Sequence, residues 1–178
     1  DTMFGWQYAL KNSGQTDGST DADIDATDAW SYLNGAAGVT VAVIDTGADL
    51  SHPDLAGNLV SGWDFVNGDA DPTDDHWHGT HVSGVIGAVG NNGIGVVGVN
   101  WNVQIMALKF IGAAGSGPTS AAITAIEYMT RMKTDFGVNV VASNNSWGGA
   151  GFSQALRDAI QESNEAGIMF VAAAGNDN

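Results

Sequence analysis

Four short runs of the chain are apolar at nearly every position: VTVAVID (39–45), VQIMALK (103–109), VNVVAS (138–143) and IMFVAAA (168–174). A strand with one wet face alternates apolar and polar residues, so continuous runs rich in β-branched side chains predict strands buried on both faces, as in a parallel sheet. Between them the period changes. Residues 79–89, 119–134 (with Ile123, Ile126, Met129 and Met132) and 153–167 carry apolar positions at helical spacing, and Gly167 is expected as the C-cap of the last. A shorter helix is expected near 26–34, capped by Asp25 or Thr27, after a polar, acidic surface arm over 1–25. Strand and helix alternate, which predicts an α/β fold: a doubly wound, mainly parallel sheet with right-handed crossovers and helices on both faces. No repeat, low-complexity tract or linker divides the sequence, so residues 1–178 read as one domain.

Composition narrows the partners. Hydrophobic residues make up 44% and there are 25 glycines, which fits a globular chain rich in tight turns. Twenty acidic residues against five basic ones leave a net charge of −15, which repels phosphate backbones and anionic lipid. Neither nucleic acid nor a membrane is expected as a partner. There is no cysteine, hence no disulfide framework and no thiolate chemistry, and the compartment stays open. No apolar stretch approaches the roughly 20 residues of a membrane-spanning helix. The opening DTMFGWQYALKNSGQ has no basic region followed by an apolar run and a small-residue cleavage site, so no signal peptide is expected within it.

In a sheet of this type, sites form in the crevice beyond the carboxyl ends of the strands. Asp45 ends the first apolar run, SNNSWGG (143–149) follows the third, Asn176 follows the fourth, and His78 opens the first long helix. An imidazole acts as a general base near neutral pH when a carboxylate fixes its tautomer and steadies the imidazolium that forms. Asp45 and His78 can play those parts. Taken singly, Asp45 reads first as a capping or turn aspartate, and His78 as a helix N-cap donor or a surface histidine. His76, His78 and His81 also fall within six positions and could together reach a zinc ion, although no HExxH pattern or acidic fourth ligand accompanies them.

The motifs VAVIDTG, HGTHVSG and VAAAGN, in that order, resemble those of the subtilisin-like serine proteases, and HPDLAG, GWDFV and HGTH resemble the thermitase-type branch. The resemblance runs from about residue 24 to the end and implies a subtilisin-like fold and a serine endopeptidase acting on proteins and peptides. By that resemblance Asp45 is the triad aspartate, His78 the base and Asn176 the oxyanion donor, with His81 a structural neighbour and His76 a loop residue. Ser146, Trp147 and Gly148 match one substrate-binding edge, and Gly115, Ser116 and Gly117 the opposite one. Trp147 stands where an aliphatic residue is expected and should narrow the pocket or line an outer subsite. Ser143, Ser146 and Ser153 lack a Gly-x-Ser-x-Gly setting and match no nucleophile of the family, and the GTSMA-type serine motif is absent. The chain is therefore expected to be an N-terminal part, inactive alone, that binds its own C-terminal fragment carrying the serine. An inhibitory propeptide and secretion follow from the same resemblance.

The segment DFVNGDADPTDD (64–75) concentrates hard oxygen donors that suit Ca²⁺, though not in EF-hand spacing; a solvated acidic loop is the plain alternative. The resemblance points to Asp64, Asn67, Asp69 and Asp71 as ligands. It also implies a second calcium site from Asp54, Asn92, the carbonyls of Val89, Ile94 and Val96, and Asp1, joining the arm to the body. Two rivals stand beside the protease: a non-catalytic, calcium-stabilised peptide-binding module, and a metal-dependent hydrolase using the histidines.

Overall fold

The computed structural model describes residues 1–149 and 151–176. Five strands, β1 (Thr40–Asp45), β2 (Leu59–Asp64), β3 (Gln104–Lys109), β4 (Val140–Asn145) and β5 (Met169–Ala172), form one sheet in the order β2-β3-β1-β4-β5. Every pairing within it is parallel. β1 lies in the middle, and its successive side chains enter opposite layers, as the two-residue period of a strand requires. Ala42 and Ile44 join a core with Met106, Leu108, Ala122, Ile126 and Met129, whereas Val43 joins Leu55, Val103 and Ile105. The first layer is covered by α3 (Thr119–Thr134) and α4 (Gln154–Glu165), the second by α2 (His78–Gly87) through Val82 and Ile86. This is the expected α/β architecture with helices on both faces.

The amino-terminal arm is fastened to the body. It begins with a 3₁₀ turn, Phe4–Trp6, and Gln7 exchanges two hydrogen bonds with the backbone of Val97. Leu10, Ala26 and Val97 form a small third core with Phe4, Trp30 and Trp101 packed against it. The first helix, α1 (Ala26–Trp30), is shorter than its pattern suggests. Asp25 does precede it, but in left-handed backbone (φ 54) and with no side-chain cap bond.

Three strands differ further from their sequence patterns. β2 escapes the sequence reading because Ser61 and Gly62 interrupt its apolar pattern; a Cβ at Gly62 would lie 2.0 Å from the Ala107 carbonyl, so close strand approach demands glycine there. β4 runs two residues beyond its apolar stretch, since the amide of the buried Asn145 is engaged, Nδ2 donating to Ser143 Oγ at 2.9 Å and to the Val171 carbonyl of β5 at 3.2 Å. β5 reads as an interior strand, yet among the described residues it pairs only with β4, and Met169 and Val171 are 67% and 47% exposed. α4 is capped by Ser153 Oγ, which accepts from Leu156 N, and Gly167 follows its C-cap Ala166 with φ 74.

Candidate active site

Asp45 is fully buried where β1 ends, and α2 begins with His78 beside it. His78 Nδ1 lies 2.8 Å from Asp45 Oδ1. A carboxylate acceptor at Nδ1 selects the Nδ1–H tautomer, which leaves Nε2 with its lone pair free to take a proton. Thr46, the next residue, is a hub. Its N–H donates to the same Asp45 oxygen at 2.7 Å, and its hydroxyl accepts from Gly79 N at 2.8 Å, satisfying one of the donors left open at a helix N-terminus. Gly79 is needed for that approach, because a Cβ there would meet the Gly47 carbonyl at 2.2 Å.

The segment entering α2 is held by Asp74. One carboxylate oxygen accepts from the backbone N–H groups of His76 and Trp77, both at 2.9 Å; the other accepts from the backbone and hydroxyl of Thr80. Burial pushes this carboxyl upward, but the Thr80 hydroxyl and the N–H groups of Trp77, His76 and Thr80 outweigh it and bring its pKa down to about 2. Trp77, between the two histidines, has φ 118 and ψ −29, a conformation that only glycine adopts readily. Its indole stacks on His76 (5.3 Å) and meets His78 edge-on (5.7 Å).

Beside His78 opens a cleft of about 600 Å³. Gly115, Ser116, Gly117, Ser146, Trp147 and Gly148, the six residues expected at the substrate edges, all line it, together with Thr46, His76 and Phe110. Trp147 packs edge-on against Phe110 at 5.0 Å, and its indole nitrogen is buried without a partner. Such a cleft offers glycine backbone to an extended peptide next to a histidine prepared to accept a proton. Asn176 lies four residues past β5, on the same carboxyl edge of the sheet; it is exposed and is not among the residues that line the cleft. His81 is likewise exposed, on the next turn of α2.

Sequence reasoning missed three contributors. Asp74 was legible only as one acid in an acidic loop, although an aspartate just before a helix start is an N-terminal signal. His76 lines the cleft and abuts Gly115, whose Cβ would stand 3.1 Å from its Nε2. Lys109, a buried lysine at the end of β3, carries no sequence signal beyond a charge closing an apolar run.

The candidate cation ligands fall in two places. Asp54 is 1% exposed; its carboxylate accepts from Asn92 Nδ2 (2.8 Å) and Val96 N (2.9 Å), and its carbonyl from Val89 N. Asp1 accepts from the N–H groups of Asn91, Asn92 and Gly93, so the arm's first residue joins the same loop, and Ile94 N donates to Asn92 Oδ1. Elsewhere the buried Asp64 accepts from Val66 N and from both nitrogens of Asn67, while Asp69 and Asp71 accept from their own loop. The Asp54 cluster is the better match for a hard cation: its carboxylate is buried, among the described residues no lysine or arginine is bonded to it, and the Asn92 amide nitrogen that now faces it would have to turn to present its oxygen. Among the described residues, no three His, Cys, Asp or Glu side chains converge on one point, the histidines of the 76–81 segment included.

Residues 36–178 match the subtilase family model. Thermitase of Thermoactinomyces vulgaris is 38% identical over 153 residues, covering 86% of this chain and 52% of that protein. Subtilisin DY of Bacillus licheniformis is 43% identical over 140 residues, covering 79% and 48%. The solved structure of the S41 psychrophilic protease matches with a TM-score of 0.75 at 37% identity, over 80% of this chain and 47% of the other. The chain thus spans about half the length of these relatives. With a parallel sheet that delivers Asp45 to His78 at the rim of a glycine-lined cleft, and with this agreement over most of its length, the chain belongs to the subtilase family, in its thermitase-like branch.

Proposed function

We propose that this chain is the base-bearing part of a serine endopeptidase. The 2.8 Å contact between Asp45 and His78, at the rim of the cleft lined by residues 115–117 and 146–148, carries the reading. His78 takes the proton of a serine hydroxyl through Nε2 as that oxygen attacks a peptide carbonyl, then returns it to the leaving amine. Asp45 holds Nδ1–H throughout and balances the imidazolium. The Asn176 amide donates to the oxygen that turns negative in the tetrahedral intermediate. Residues Gly115–Gly117 and Ser146–Gly148 pair with the substrate backbone, and the Trp147–Phe110 contact narrows the cleft against a bulky side chain.

The nucleophile belongs, on this reading, to a C-terminal segment that packs on the exposed side of β5. Among the described residues no serine hydroxyl is hydrogen-bonded to His78, and β5 presents an unpaired edge with exposed Met169 and Val171. The chain alone is then inactive. Secretion and an inhibitory propeptide belong to the same reading, as does Ca²⁺ held by Asp54, Asn92 and Asp1 or by Asp64, Asn67, Asp69 and Asp71. Calcium would supply charge neutralisation that ties the arm to the body.

A fluorophosphonate probe with intact mass measurement tests the proposal. Labelling is expected on a serine of an associated polypeptide or of a longer form of this chain, and lost when His78→Ala is introduced. A longer or complemented form that binds peptide but takes no label would identify a non-catalytic binding module instead.

A further inference from the structure

Lys109 ends β3 with its side chain 1% exposed, and nothing in the proposed chemistry uses it. Burying an ammonium is costly unless it is both paired and hydrogen-bonded. Here it is both. Its Nζ donates to the Thr46 carbonyl at 2.8 Å and to Asp75 Oδ1. In the sheet, Lys109 is also the direct register partner of Asp45. One buried cation therefore joins the end of β1, the end of β3 and the segment that leads into His78.

We propose that Lys109 is a positioning residue that holds the Asp45 carboxylate against His78. Among the described residues Asp45 Oδ2 is buried without a partner, and the carboxylate is oriented by its bonds at Oδ1, from His78 and from Thr46 N–H. Thr46 is in turn fixed at two points: its hydroxyl by Gly79 N and its carbonyl by Lys109. Without the ammonium, the Thr46 carbonyl loses its donor inside a buried segment, and the peptide that joins it to Gly47 is no longer held from that side. Asp75 would lose its tether in the same step, freeing the segment that carries His76 and His78. Asp45 is hydrogen-bonded to Nδ1, Asp74 to the backbone at the helix entry, and Lys109 to both Thr46 and Asp75.

The inference rests on His78 being the base oriented by Asp45, and its test needs no turnover. With four histidines in the chain, ¹⁵N-histidine labelling of the protein as isolated resolves each ring, observed above the usual histidine pKa of about 6.5. Wild-type His78 is expected as the Nδ1–H tautomer with a persistent Nδ1 proton signal. In Lys109→Met, which keeps the buried chain length and removes the charge, that signal should be lost to exchange and His78 should move to the Nε2–H tautomer, with His52 unchanged. A folded Lys109→Met protein whose His78 stays Nδ1–H with the same proton signal overturns the positioning role. Should that variant fail to fold, Lys109→Gln decides: its side chain is polar and uncharged, and is one atom too short for the bond to the Thr46 carbonyl. A partial shift of the His78 resonances supports the role, and unchanged resonances overturn it. A wild-type His78 found as Nε2–H would sink the base assignment itself, a failure distinct from retention in the variants.

Discussion

Trp77 is where a single residue departs furthest from what its chemistry favours. A non-glycine residue at φ 118 costs on the order of 1–3 kcal/mol, and glycine would escape that cost at an entropic penalty of about 0.5–1 kcal/mol. What the indole gains in return is contact with His76 and His78, worth about 0.5–1.5 kcal/mol for an aromatic pair. These terms nearly cancel in the wild type, but they separate in a pair of substitutions. Trp77→Ala loses the rings and keeps the strained Cβ; Trp77→Gly loses both. Denaturant melts should therefore find the glycine variant more stable than the alanine variant by about 1 kcal/mol, the reverse of the usual order. Equal midpoints would mean that the surrounding backbone relaxes once the indole is gone.

At the scale of elements, α2 depends on a carboxylate that precedes it by several residues. Its N-cap, Trp77, offers no side-chain acceptor, and Asp74 satisfies the N–H groups of His76, Trp77 and Thr80 instead. The Asp74 pKa is depressed in the folded state, so its contribution is present above the ordinary value of 3.8 and is lost as the pH falls through about 2. Between those limits the wild type should lose unfolding free energy more steeply than Asp74→Asn, which cannot protonate and is weaker at neutral pH. Urea titrations at stepped pH read both slopes; parallel slopes would remove Asp74 from the acid response. Much of this layout was legible beforehand. Runs such as VTVAVID and the helical spacing of 119–134 announce their elements because both faces of a central strand and one stripe of a helix must be apolar. β2 was not, since its place is secured by backbone pairing to β3 and by a missing Cβ at Gly62. The same divide runs through the site. Asp45, His78 and the glycine edges carry local motifs, and Asp74 acts on its own segment, whereas the bonds of Lys109 to Thr46 and Asp75 join residues that only the fold brings together.

For the whole molecule, the charge of −15 is the dominant constraint, because twenty carboxylates on one compact body repel one another and destabilise the folded state. Two kinds of cation can relieve this, and they are separable. Monovalent salt screens all exposed acids alike, with a Debye length of about 8 Å at physiological ionic strength. Calcium bound at the Asp54 cluster would act additionally and saturably, adding about 2.7 kcal/mol at a concentration a hundred times its dissociation constant. Melting curves at matched ionic strength should therefore show a higher Tm in CaCl₂ than in NaCl, reversed by a chelator. Asp54→Asn removes one charge from a buried carboxylate that Asn92 and Val96 surround, and should abolish the calcium increment. Asp17→Asn removes one charge from the exposed arm, where screening acts, and should leave the calcium increment intact. If instead calcium and sodium coincide at equal ionic strength in the wild type, the arm is fastened to the 91–96 loop without a cation, by the hydrogen bonds of Asp1 and Met3, and the acidic surface is relieved by screening.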